Sequence, residues 1–578
     1  MKILLTTLHA KYVHSSLALP YLAAFSKNFD GVETAIREFT VNEHGDHVLR
    51  RIIAEKADVV AFSCYIWNIE QTLRLVSDLK KIVPATRIIL GGPEVSHNPD
   101  EILSGNAAVD CIIRGDGEEV LHKVISNLKQ VGSFEDAVKS IDSGLAYRIG
   151  SDVVVKPVGE PMHDLDAIPS PFAAGLVDMD KPLVYYETSR GCPFSCAFCM
   201  SSLEKGVRSF SMERIRQDLM CLMNHEAATV KLVDRTFNYD ADRANDIWDF
   251  VLRNNRSSRF HFEIAADLLT DDNIRLLERV PEGLFRFEIG VQSGETATLA
   301  QVGRKTDLER LFANVEKLVS RTGVIIHLDL IAGLPQEGFS GFLSSLQRLF
   351  AVRPHHIQVE PLKVLKGSPM REIAEREKYS FSDHPPYKIL RTPALSFDEI
   401  SRIETISRLL DIYYNSGKFR TVLEAAAALE PLSLFFDAMS AFVEKQATSA
   451  ATSQRGNFEL IRDFMKSRSP QETLESLTDA LCYDFCLCEY PSTGSFPSFL
   501  TIEEKSKAAG TMKTRDEMVK RLDIEPGSKV RNFTRLFLKN YACRPWKNEP
   551  TEITFAYISA PGKGLRVKPM TVTQKAAL

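Results

Sequence analysis

Three cysteines in one short loop constrain this 578-residue chain more than any other feature of its sequence. Cys192, Cys196 and Cys199 have the spacing C-x3-C-x2-C and follow the strand-like run at residues 183–188. Thiolates at this spacing can wrap a cubane iron–sulfur cluster, leaving one iron without a protein ligand. That open iron can bind and reduce a small molecule. We therefore predict a [4Fe–4S] cluster on these three cysteines.

A zinc site is the alternative for such a loop. Structural zinc sites normally have four protein ligands, and the next His or Cys residues along the chain are Cys221 and His225. The lack of a nearby fourth ligand favours the cluster.

The loop reads Arg190-Gly-Cys-Pro-Phe-Ser-Cys-Ala-Phe-Cys199 and resembles the signature of the radical SAM superfamily. The resemblance implies that the amino and carboxylate groups of S-adenosylmethionine chelate the open iron. It also implies that one electron cleaves the sulfonium to a 5'-deoxyadenosyl radical.

Composition bounds the class of protein. A chain of this length is expected to form two to four domains, and its 44% hydrophobic and 25% charged residues are typical of soluble proteins. No apolar run reaches transmembrane length and the N-terminus lacks a signal-peptide pattern, so we expect a cytoplasmic protein. Ten cysteines are too few for a disulfide scaffold, and a labile cluster also favours a reducing compartment. The net charge of −5, without a concentrated basic block, makes nucleic acid an unexpected partner.

The N-terminal third predicts an α/β domain. Apolar runs at residues 3–5, 59–62, 87–90 and 111–113 alternate with amphipathic segments, as buried parallel strands alternate with helices. We predict a doubly wound parallel sheet of the flavodoxin-like kind. Ligands of such sheets bind beyond the carboxyl ends of the strands. No G-x-G-x-x-G follows the first strand, which argues against a nicotinamide cofactor.

Glycine-rich loops follow three of these strands and carry the predicted ligand site. Placed before a radical SAM signature, they resemble the cobalamin-binding domain of cobalamin-dependent radical SAM enzymes. The resemblance implies cobalamin contacts at Ser63, Tyr65, Gly91, Gly92, Glu94, Gly115 and Gly117.

The histidine motif of many cobalamin domains, D-x-H-x-x-G, is missing after the first strand. We therefore expect cobalamin to bind without a histidine ligand, with Tyr65 or Trp67 shielding its lower face. Ordinary packing at a strand end is the alternative for both aromatic residues. His9 and His14 are expected to be loop residues rather than ligands.

The central third predicts a partial (β/α)6 barrel. Strand-like runs recur at residues 183–186, 230–233, 260–264, 285–291, 324–330 and 356–359. Six parallel strand–helix units form a barrel that is open on one side, and polar residues at the carboxyl ends point into its mouth.

Polar residues near these strand ends resemble the set that binds S-adenosylmethionine in coproporphyrinogen-oxidase-like and methylthiotransferase-like radical SAM enzymes. The resemblance implies that an arginine pairs with the methionine carboxylate while carboxylates and an amide hold the ribose and the amine. The positions are Asp234, Glu263, Glu288, Gln292, Ser293, Arg304 and Asp329. Salt bridges or surface charges are the alternative for each of them. Asp234 stands where the family often has Gly-Gly-Glu.

The remainder of the chain is expected to be mostly helical, because apolar residues recur at helical spacing from residue 400. It resembles the C-terminal domain of unknown function of one subgroup of cobalamin-binding radical SAM proteins. Cys482, Cys486 and Cys488, with distant Cys543, could hold an auxiliary cluster or simply pack as small apolar residues. We expect packing, because C-x3-C-x-C is an awkward cluster spacing.

The predicted organisation is a cobalamin-binding domain at 1–135, a linker at 136–177, a radical SAM core at 178–395 and a helical domain at 396–578. The resemblance implies a cobalamin-dependent radical SAM enzyme that methylates an unactivated carbon of an unknown small molecule or peptide. An electron donor such as flavodoxin or ferredoxin is implied as a partner.

Three alternatives remain for the function. One is a cobalamin-dependent rearrangement or cyclisation without methyl transfer. Another is a tRNA methylthiotransferase-like enzyme, although those carry three further cluster cysteines in an N-terminal domain that here has only Cys64 and Cys111. The third is a non-catalytic cobalamin or redox sensor, which would have no need of a complete methionine pocket.

Overall fold

The structure is a computed structural model that describes residues 1–27, 31–204, 206–446, 453–491, 497–500, 529–537, 551–559 and 565–571. The chain forms two compact units. The first contains residues 1–339 and 361–397, and the second contains residues 340–360 and 398–578.

The first unit begins with a seven-stranded sheet in the order β2-β1-β3-β4-β5-β6-β7. Its strands are β1 (Lys2–His9), β2 (Glu33–Thr40), β3 (Val59–Ser63), β4 (Arg87–Gly91), β5 (Cys111–Ile113), β6 (Leu145–Ile149) and β7 (Asp152–Val155). The first five are parallel, and the last two extend the sheet in the antiparallel sense into the segment predicted to be a linker. The order 2-1-3-4-5 is that of flavodoxin-like sheets.

Helices cover both faces of this sheet. They are α1 (Ala18–Phe25), α2 (Gly45–Ala54), α3 (Ile69–Ile82), α4 (Pro93–Ser96), α5 (Pro99–Gly105), α6 (Gly117–Val131) and α7 (Phe134–Lys139). Two separate clusters of buried apolar residues lie against the sheet, one containing Leu4 and Val60 and the other Ile3 and Val59. Neighbouring strand residues therefore point to opposite cores, which confirms the predicted doubly wound fold.

β2 was not predicted. Its residues are mostly half-buried or exposed, and only Phe39 is fully buried. An edge strand alternates polar and apolar residues instead of forming a continuous apolar run, so a search for apolar runs misses it.

The second sheet of the first unit contains the parallel strands β8 (Val184–Tyr186), β11 (Thr229–Leu232), β12 (Arg259–Ile264), β13 (Phe285–Gln292) and β14 (Ile325–Ala332) in that spatial order. A separate hairpin pairs β9 (Ser189–Cys192) with β10 (Gly206–Ser209). The associated helices are α8 (Met212–Asn224), α9 (Ala241–Asn254), α10 (Asp271–Leu277), α11 (Thr296–Gln301) and α12 (Leu308–Arg321). All five strands were predicted.

Alternation along β12 and β13 separates an apolar face from a charged one. Phe260, Phe262, Phe285 and Phe287 are buried and pack on one another. Trp248 of α9 contacts Phe262 and stacks on Phe287 at a centroid distance of 5.3 Å. The residues between them on the strands are charged or polar, and they point to the other side of the sheet.

Later elements belong to both units. α13 (Phe339–Ala351) and β15 (His356–Pro361), the sixth predicted strand, come next. α14 (Met370–Arg376), β16 (Ser380–Phe381) and β17 (Ile389–Arg391) return to the first unit. The predicted helical region is confirmed as α15 (Phe397–Leu409), α16 (Arg420–Ala427), α17 (Leu432–Lys445), α18 (Gln454–Arg468) and α19 (Gln471–Cys488).

The second unit also contains an antiparallel sheet that was not predicted. Its strands are β18 (Lys529–Phe537), β19 (Thr551–Ser559) and β20 (Arg566–Thr571). Within the described ranges no single helix is long and apolar enough to cross a membrane; α16 and α17, bent by 112° at their break, meet the criterion of length and composition only as a pair.

Replacing Trp248 tests the aromatic core of the second sheet. Trp248→Ala should lower the free energy of opening of β12 and β13 by about 3–5 kcal/mol, because it leaves a large cavity among the phenylalanines. Trp248→Phe should cost much less, since the indole nitrogen is buried without a hydrogen-bond partner among the described residues. Hydrogen exchange of the strand amides measures both effects. Equal losses in the two variants would contradict this account of the core.

Candidate active site

The cysteine loop is the turn of the β9–β10 hairpin. Cys192 ends β9 and pairs with Gly206 across the hairpin, while Cys196 and Cys199 lie in the turn. Gly191 has a φ of +89°, and a Cβ added there would lie 2.2 Å from the carbonyl oxygen of Gly206. Only glycine fits at this position, immediately before the first cysteine.

Backbone hydrogen bonds hold the turn on two sides. The amide of Ala197 donates to the carbonyl of Val302 at 2.8 Å, and the amide of Met370 donates to the carbonyl of Ala197 at 3.0 Å. Gly303, with a φ of +68°, approaches the carbonyl of Ser195 so closely that a Cβ would lie at 3.1 Å. The shape of the loop is therefore fixed by the protein itself.

The donor chemistry of the loop fits a cubane cluster. Burial raises the pKa of the Cys196 thiol, Arg304 offsets part of this effect, and the nearby Cys199 and Cys192 add to it. The three thiols are thus close enough to interact. Among the described residues no three His, Cys, Asp or Glu side chains converge on a single ion. A cubane does not require such convergence, because each cysteine binds a different iron.

Arg304 joins the cysteine loop to the end of β13. Its guanidinium donates to the Cys196 thiol at 3.7 Å and to the carbonyl of Gly290. Gln292 ends β13 with a φ of +69°, at a shift in the register between β13 and β14, and its amide folds back over Gly290. The structure therefore brings together Cys196, Arg304 and Gln292, three of the residues predicted from the sequence.

The charged face of the second sheet holds Glu263 and Glu288, which lie opposite each other on β12 and β13. Lys231 of β11 pairs with both, at 3.3 Å and 2.9 Å, and His261 lies 2.9 Å from Glu288. Burial raises the pKa of Glu263. Burial acts in the same direction on Glu288, but its hydrogen bonds with His261 and Lys231 outweigh burial and hold its pKa well below the usual range. Lys231 was not predicted from the sequence.

Asp329 lies on β14, directly opposite Gly290. Burial raises the pKa of its carboxyl, and His327, 3.0 Å away, offsets part of that effect.

Asp234 and Ser293 are occupied by protein partners. The buried carboxylate of Asp234 accepts hydrogen bonds from the amide and hydroxyl of Thr188 and from the hydroxyl of Ser189. Ser293 is also buried and donates to Glu337 at 2.7 Å. In the structure both side chains fix the backbone around the site.

A cavity of 700 Å³ opens between the carboxyl ends of the first sheet and the charged face of the second. Its first wall contains six of the residues predicted to contact cobalamin, namely Ser63, Tyr65, Gly91, Gly92, Gly115 and Gly117. Its second wall includes Glu263, Lys231 and Arg235. Apolar side chains of the first sheet, such as Leu5 and Ile89, line the floor.

Glu94, the remaining predicted cobalamin residue, does not line this cavity. Its carboxylate is buried and accepts a hydrogen bond from the hydroxyl of Tyr387, with Lys366 3.9 Å away. A Cβ at the neighbouring Gly92, whose φ is +103°, would lie 2.6 Å from the carbonyl of Cys64. The loop after β4 is therefore shaped by a tight turn and by the segment that follows β15.

Tyr65 and Trp67 stack on each other in the cavity wall, with ring centroids 4.4 Å apart and planes 5° apart. The indole of Trp67 donates to the carbonyl of Leu8 at 3.1 Å. The stacked rings of Tyr65 and Trp67 thus present a flat aromatic surface to the cavity.

His14 is hydrogen-bonded to the hydroxyl of Tyr185 at 2.7 Å, and burial lowers the pKa of His14.

A buried ion-pair network joins the two walls. Arg190, two residues before Cys192, lies 2.6 Å from Glu118 and 2.8 Å from Glu187. Asp116 pairs with Arg208 at 2.7 Å and, more loosely, with Arg190 at 3.5 Å. Glu118 and Asp116 flank the predicted cobalamin residue Gly117, so the network connects that loop to the cysteine strand. This pairing was not predicted from the sequence.

Two of the three cysteines of α19 are packed inside the protein. Cys482 and Cys486 are buried, and the thiols of Cys482 and Cys488 lie 3.9 Å and 3.8 Å from the carbonyls of Phe499 and Lys418. Cys543 lies outside the described residues.

Two glycines of the β9–β10 hairpin provide a matched test of the cysteine loop. Gly191→Ala should abolish cluster binding, because its Cβ would collide with the carbonyl of Gly206. Gly206→Ala also places alanine at positive φ, +81°, but its Cβ would meet nothing within 4 Å, so most of the cluster should be retained. Iron and sulfide content after anaerobic reconstitution measures the difference. Equal cluster content in both variants would contradict the steric argument.

Comparisons with curated proteins give relatives that share a part of this chain. The chain is 23% identical to the cobalamin-dependent radical SAM methyltransferase TokK of Streptomyces tokunonensis. The alignment covers 60% of this chain and 53% of TokK. It is 25% identical to the hopanoid C-3 methylase of Methylococcus capsulatus, over 54% of this chain and 60% of the methylase. The chain therefore spans little more than half the length of these relatives.

A solved structure shares the fold. OxsB, a cobalamin-dependent S-adenosylmethionine radical enzyme with aqua-cobalamin and S-adenosylmethionine bound, superposes with a TM-score of 0.56 at 14% identity. The alignment covers 84% of this chain and 83% of OxsB.

Three family models match successive parts of the chain. Residues 3–125 match the B12 binding domain, 186–349 the radical SAM superfamily and 376–535 a protein family of unknown function, DUF4080. These matches confirm the predicted cofactors, cobalamin, a [4Fe–4S] cluster and S-adenosylmethionine. The chain therefore contains a B12 binding domain, a radical SAM domain and a C-terminal domain of unknown function, in that order.

Proposed function

We propose that this protein is a cobalamin-dependent radical SAM methyltransferase that acts on an unactivated carbon. The observation that carries the proposal is the shared cavity, which is lined on one side by the glycine loops of the B12 binding domain and on the other by the radical SAM core. A methyl donor and a substrate radical must meet within bonding distance, so both cofactors need access to one chamber.

When bound, the cofactors supply reductive cleavage of S-adenosylmethionine to a 5'-deoxyadenosyl radical and a methyl group for transfer. The residues of this chain hold and orient the reactants. Cys192, Cys196 and Cys199 would ligate the cluster, while Gln292 and Arg304, which meet beside Cys196, would hold the methionine end of S-adenosylmethionine. A fixed cation beside an amide suits a carboxylate and an amine.

Glu263 and Asp329 would receive the remaining polar groups of S-adenosylmethionine. Glu288 would position Glu263 through their shared partner Lys231. Asp234 and Ser293 would act indirectly, because their hydrogen bonds to protein groups hold the strand ends in place.

On the other wall, the loops that contain Gly91, Gly92, Gly115 and Gly117 line the cavity and would contact the corrin, together with Ser63. The stacked Tyr65 and Trp67 would cover one face of the corrin and exclude water from it. Glu94 would keep its loop in shape through Tyr387.

The relatives support methyl transfer, since two of them are named as a methyltransferase and a methylase. We further propose a cytoplasmic location, a small-molecule or peptide substrate, and a flavodoxin or ferredoxin as the electron donor. A radical SAM enzyme generally requires such a donor.

Anaerobic reconstitution with iron, sulfide and hydroxocobalamin tests the proposal. With S-adenosylmethionine and dithionite, the protein should retain corrin and form 5'-deoxyadenosine. Cys196→Ala should reduce deoxyadenosine to background, because the cluster loses a ligand. The variant should still bind cobalamin, because the B12 binding domain forms the other wall of the cavity. Cys221→Ala, which changes a half-buried cysteine outside the loop, is the matched control and should remain active.

The products distinguish three parts of the proposal: cobalamin binding, methyl transfer and catalysis itself. Deoxyadenosine without bound corrin would contradict the cobalamin assignment. Deoxyadenosine with bound corrin but without S-adenosylhomocysteine, in the presence of substrate-containing extract, would contradict methyl transfer. A protein that binds both cofactors and never cleaves S-adenosylmethionine would be a sensor rather than an enzyme.

A further inference from the structure

The charges that line the cavity are almost completely neutralised within the protein. All five lining carboxylates lie in ion pairs. Asp116 and Glu204 pair with Arg208, Glu118 and Glu187 pair with Arg190, and Glu263 pairs with Lys231.

Arg235 is the exception. Arg190 and Lys231, the other lysine or arginine residues in the lining, are both paired with carboxylates. The exposed guanidinium of Arg235 makes no hydrogen bond or ion pair with any residue in the described ranges. It is nevertheless close enough to Tyr65 and Glu263 to offset part of the rise in their pKa values that burial causes. It therefore lies between the B12 binding wall and the radical SAM wall.

The backbone around Arg235 is fixed on both sides. Asp234 is bound by Thr188 and Ser189, and the amide of Phe237 donates to the carbonyl of Glu263 at 2.8 Å. Thr236, the next residue, places its hydroxyl 3.5 Å from the Cys192 thiol. An arginine on a fixed backbone loses little freedom when it binds a ligand, and this one lies beside the cluster loop.

We propose that Arg235 binds an anionic oxygen group of the substrate, a carboxylate or a phosphate, and so holds the substrate in the cavity beside the cysteine loop. The inference rests on the proposed function, because it names the chemical class of the substrate of that site. A guanidinium binds such groups through two parallel hydrogen bonds, which fixes orientation as well as position.

Two other anions could reach the same guanidinium: the carboxylate of S-adenosylmethionine and the phosphate of the cobalamin nucleotide. Arg304, beside Cys196 and Gln292, is the better placed partner for the first. The experiment separates all three sources.

The test uses holoenzyme reconstituted with cluster and hydroxocobalamin, and S-adenosylmethionine with a deuterated methyl group. A small-molecule extract of the source cells is divided by anion exchange into a retained, anionic fraction and an unretained fraction. The label should enter a product only from the retained fraction. Arg235→Gln should lower its formation about tenfold or more, and Arg235→Lys less, because lysine keeps the charge but loses the paired hydrogen bonds.

Arg74→Gln is the matched control, since Arg74 is exposed on α3 and does not line the cavity. It should leave product formation unchanged. Arg235→Gln should also leave the affinity for S-adenosylmethionine and the retention of cobalamin within about twofold of the unchanged protein.

Several results would overturn the inference. One is a labelled product that arises equally from the unretained fraction, or equally in Arg235→Gln. Another is a weakened affinity of Arg235→Gln for S-adenosylmethionine, which would assign Arg235 to that carboxylate. A third is loss of cobalamin from Arg235→Gln together with unchanged binding of cobinamide, which lacks the nucleotide phosphate. This result would assign Arg235 to that phosphate.

If neither fraction yields a labelled product, methyl transfer fails and a binding measurement decides the anion site. Phenylglyoxal modification of Arg235 in the holoenzyme is followed by peptide mass spectrometry. Protection by the retained fraction alone supports an anionic ligand at Arg235. Equal modification with either fraction overturns it.

Discussion

Arg190 is the buried charge on which the geometry of the first unit depends. It stands on the cysteine strand and reaches Glu118 of the B12 binding domain at 2.6 Å and Glu187 of its own strand–loop region at 2.8 Å. A guanidinium that is only 14% exposed loses much of its hydration, and the loss is offset only if its carboxylates keep their positions. Breaking such a pair by removing one partner costs about 3–5 kcal/mol. The arrangement of the two cavity walls that keeps the pair is therefore strongly favoured. The distance between the loop at residues 116–118 and the cysteine loop is therefore set before any cofactor binds.

Alternation of side chains along β12 and β13 separates aromatic residues from charged residues on the two faces of the sheet. Phe-His-Phe-Glu-Ile and Phe-Arg-Phe-Glu-Ile place rings on the helix side and charges on the other. Barrel interiors are normally filled with branched apolar side chains, so a row of charges at this position marks a ligand site rather than a packing layer. Lys231 keeps Glu263 and Glu288 together at the cost of desolvating three charges. The aromatic face against Trp248 supplies the apolar burial that supports this polar face.

The sequence predicts the parts of this molecule that are local and leaves out the parts that are not. The spacing of Cys192, Cys196 and Cys199 and the apolar runs of the strands are short patterns, and the structure contains the loop and strands that they predict. Arg190 and Glu118 are 72 residues apart, and Tyr387 and Glu94 are 293 apart, so neither pair can be read from spacing. This explains why Glu94 was expected to face the ligand and instead supports its loop. The edge strand β2 was missed because it forms no continuous apolar run. The sheet β18–β20 was missed although β19 contains such a run at residues 555–558, because this part of the chain was predicted from the helical spacing of earlier apolar residues.

Asp234 and Arg235 lie where this chain departs from a family pattern, and the two side chains do different things. The family often has Gly-Gly-Glu where this chain has Val233-Asp-Arg, and the resemblance implied a contact between Asp234 and S-adenosylmethionine. In the structure the Asp234 carboxylate is used by Thr188 and Ser189 and is fully buried. A carboxylate with three protein donors has little capacity left for a ligand, but it holds the adjacent backbone still. The neighbouring guanidinium is thereby presented to the cavity without a protein partner in the described part of the chain, where an anionic substrate can neutralise it.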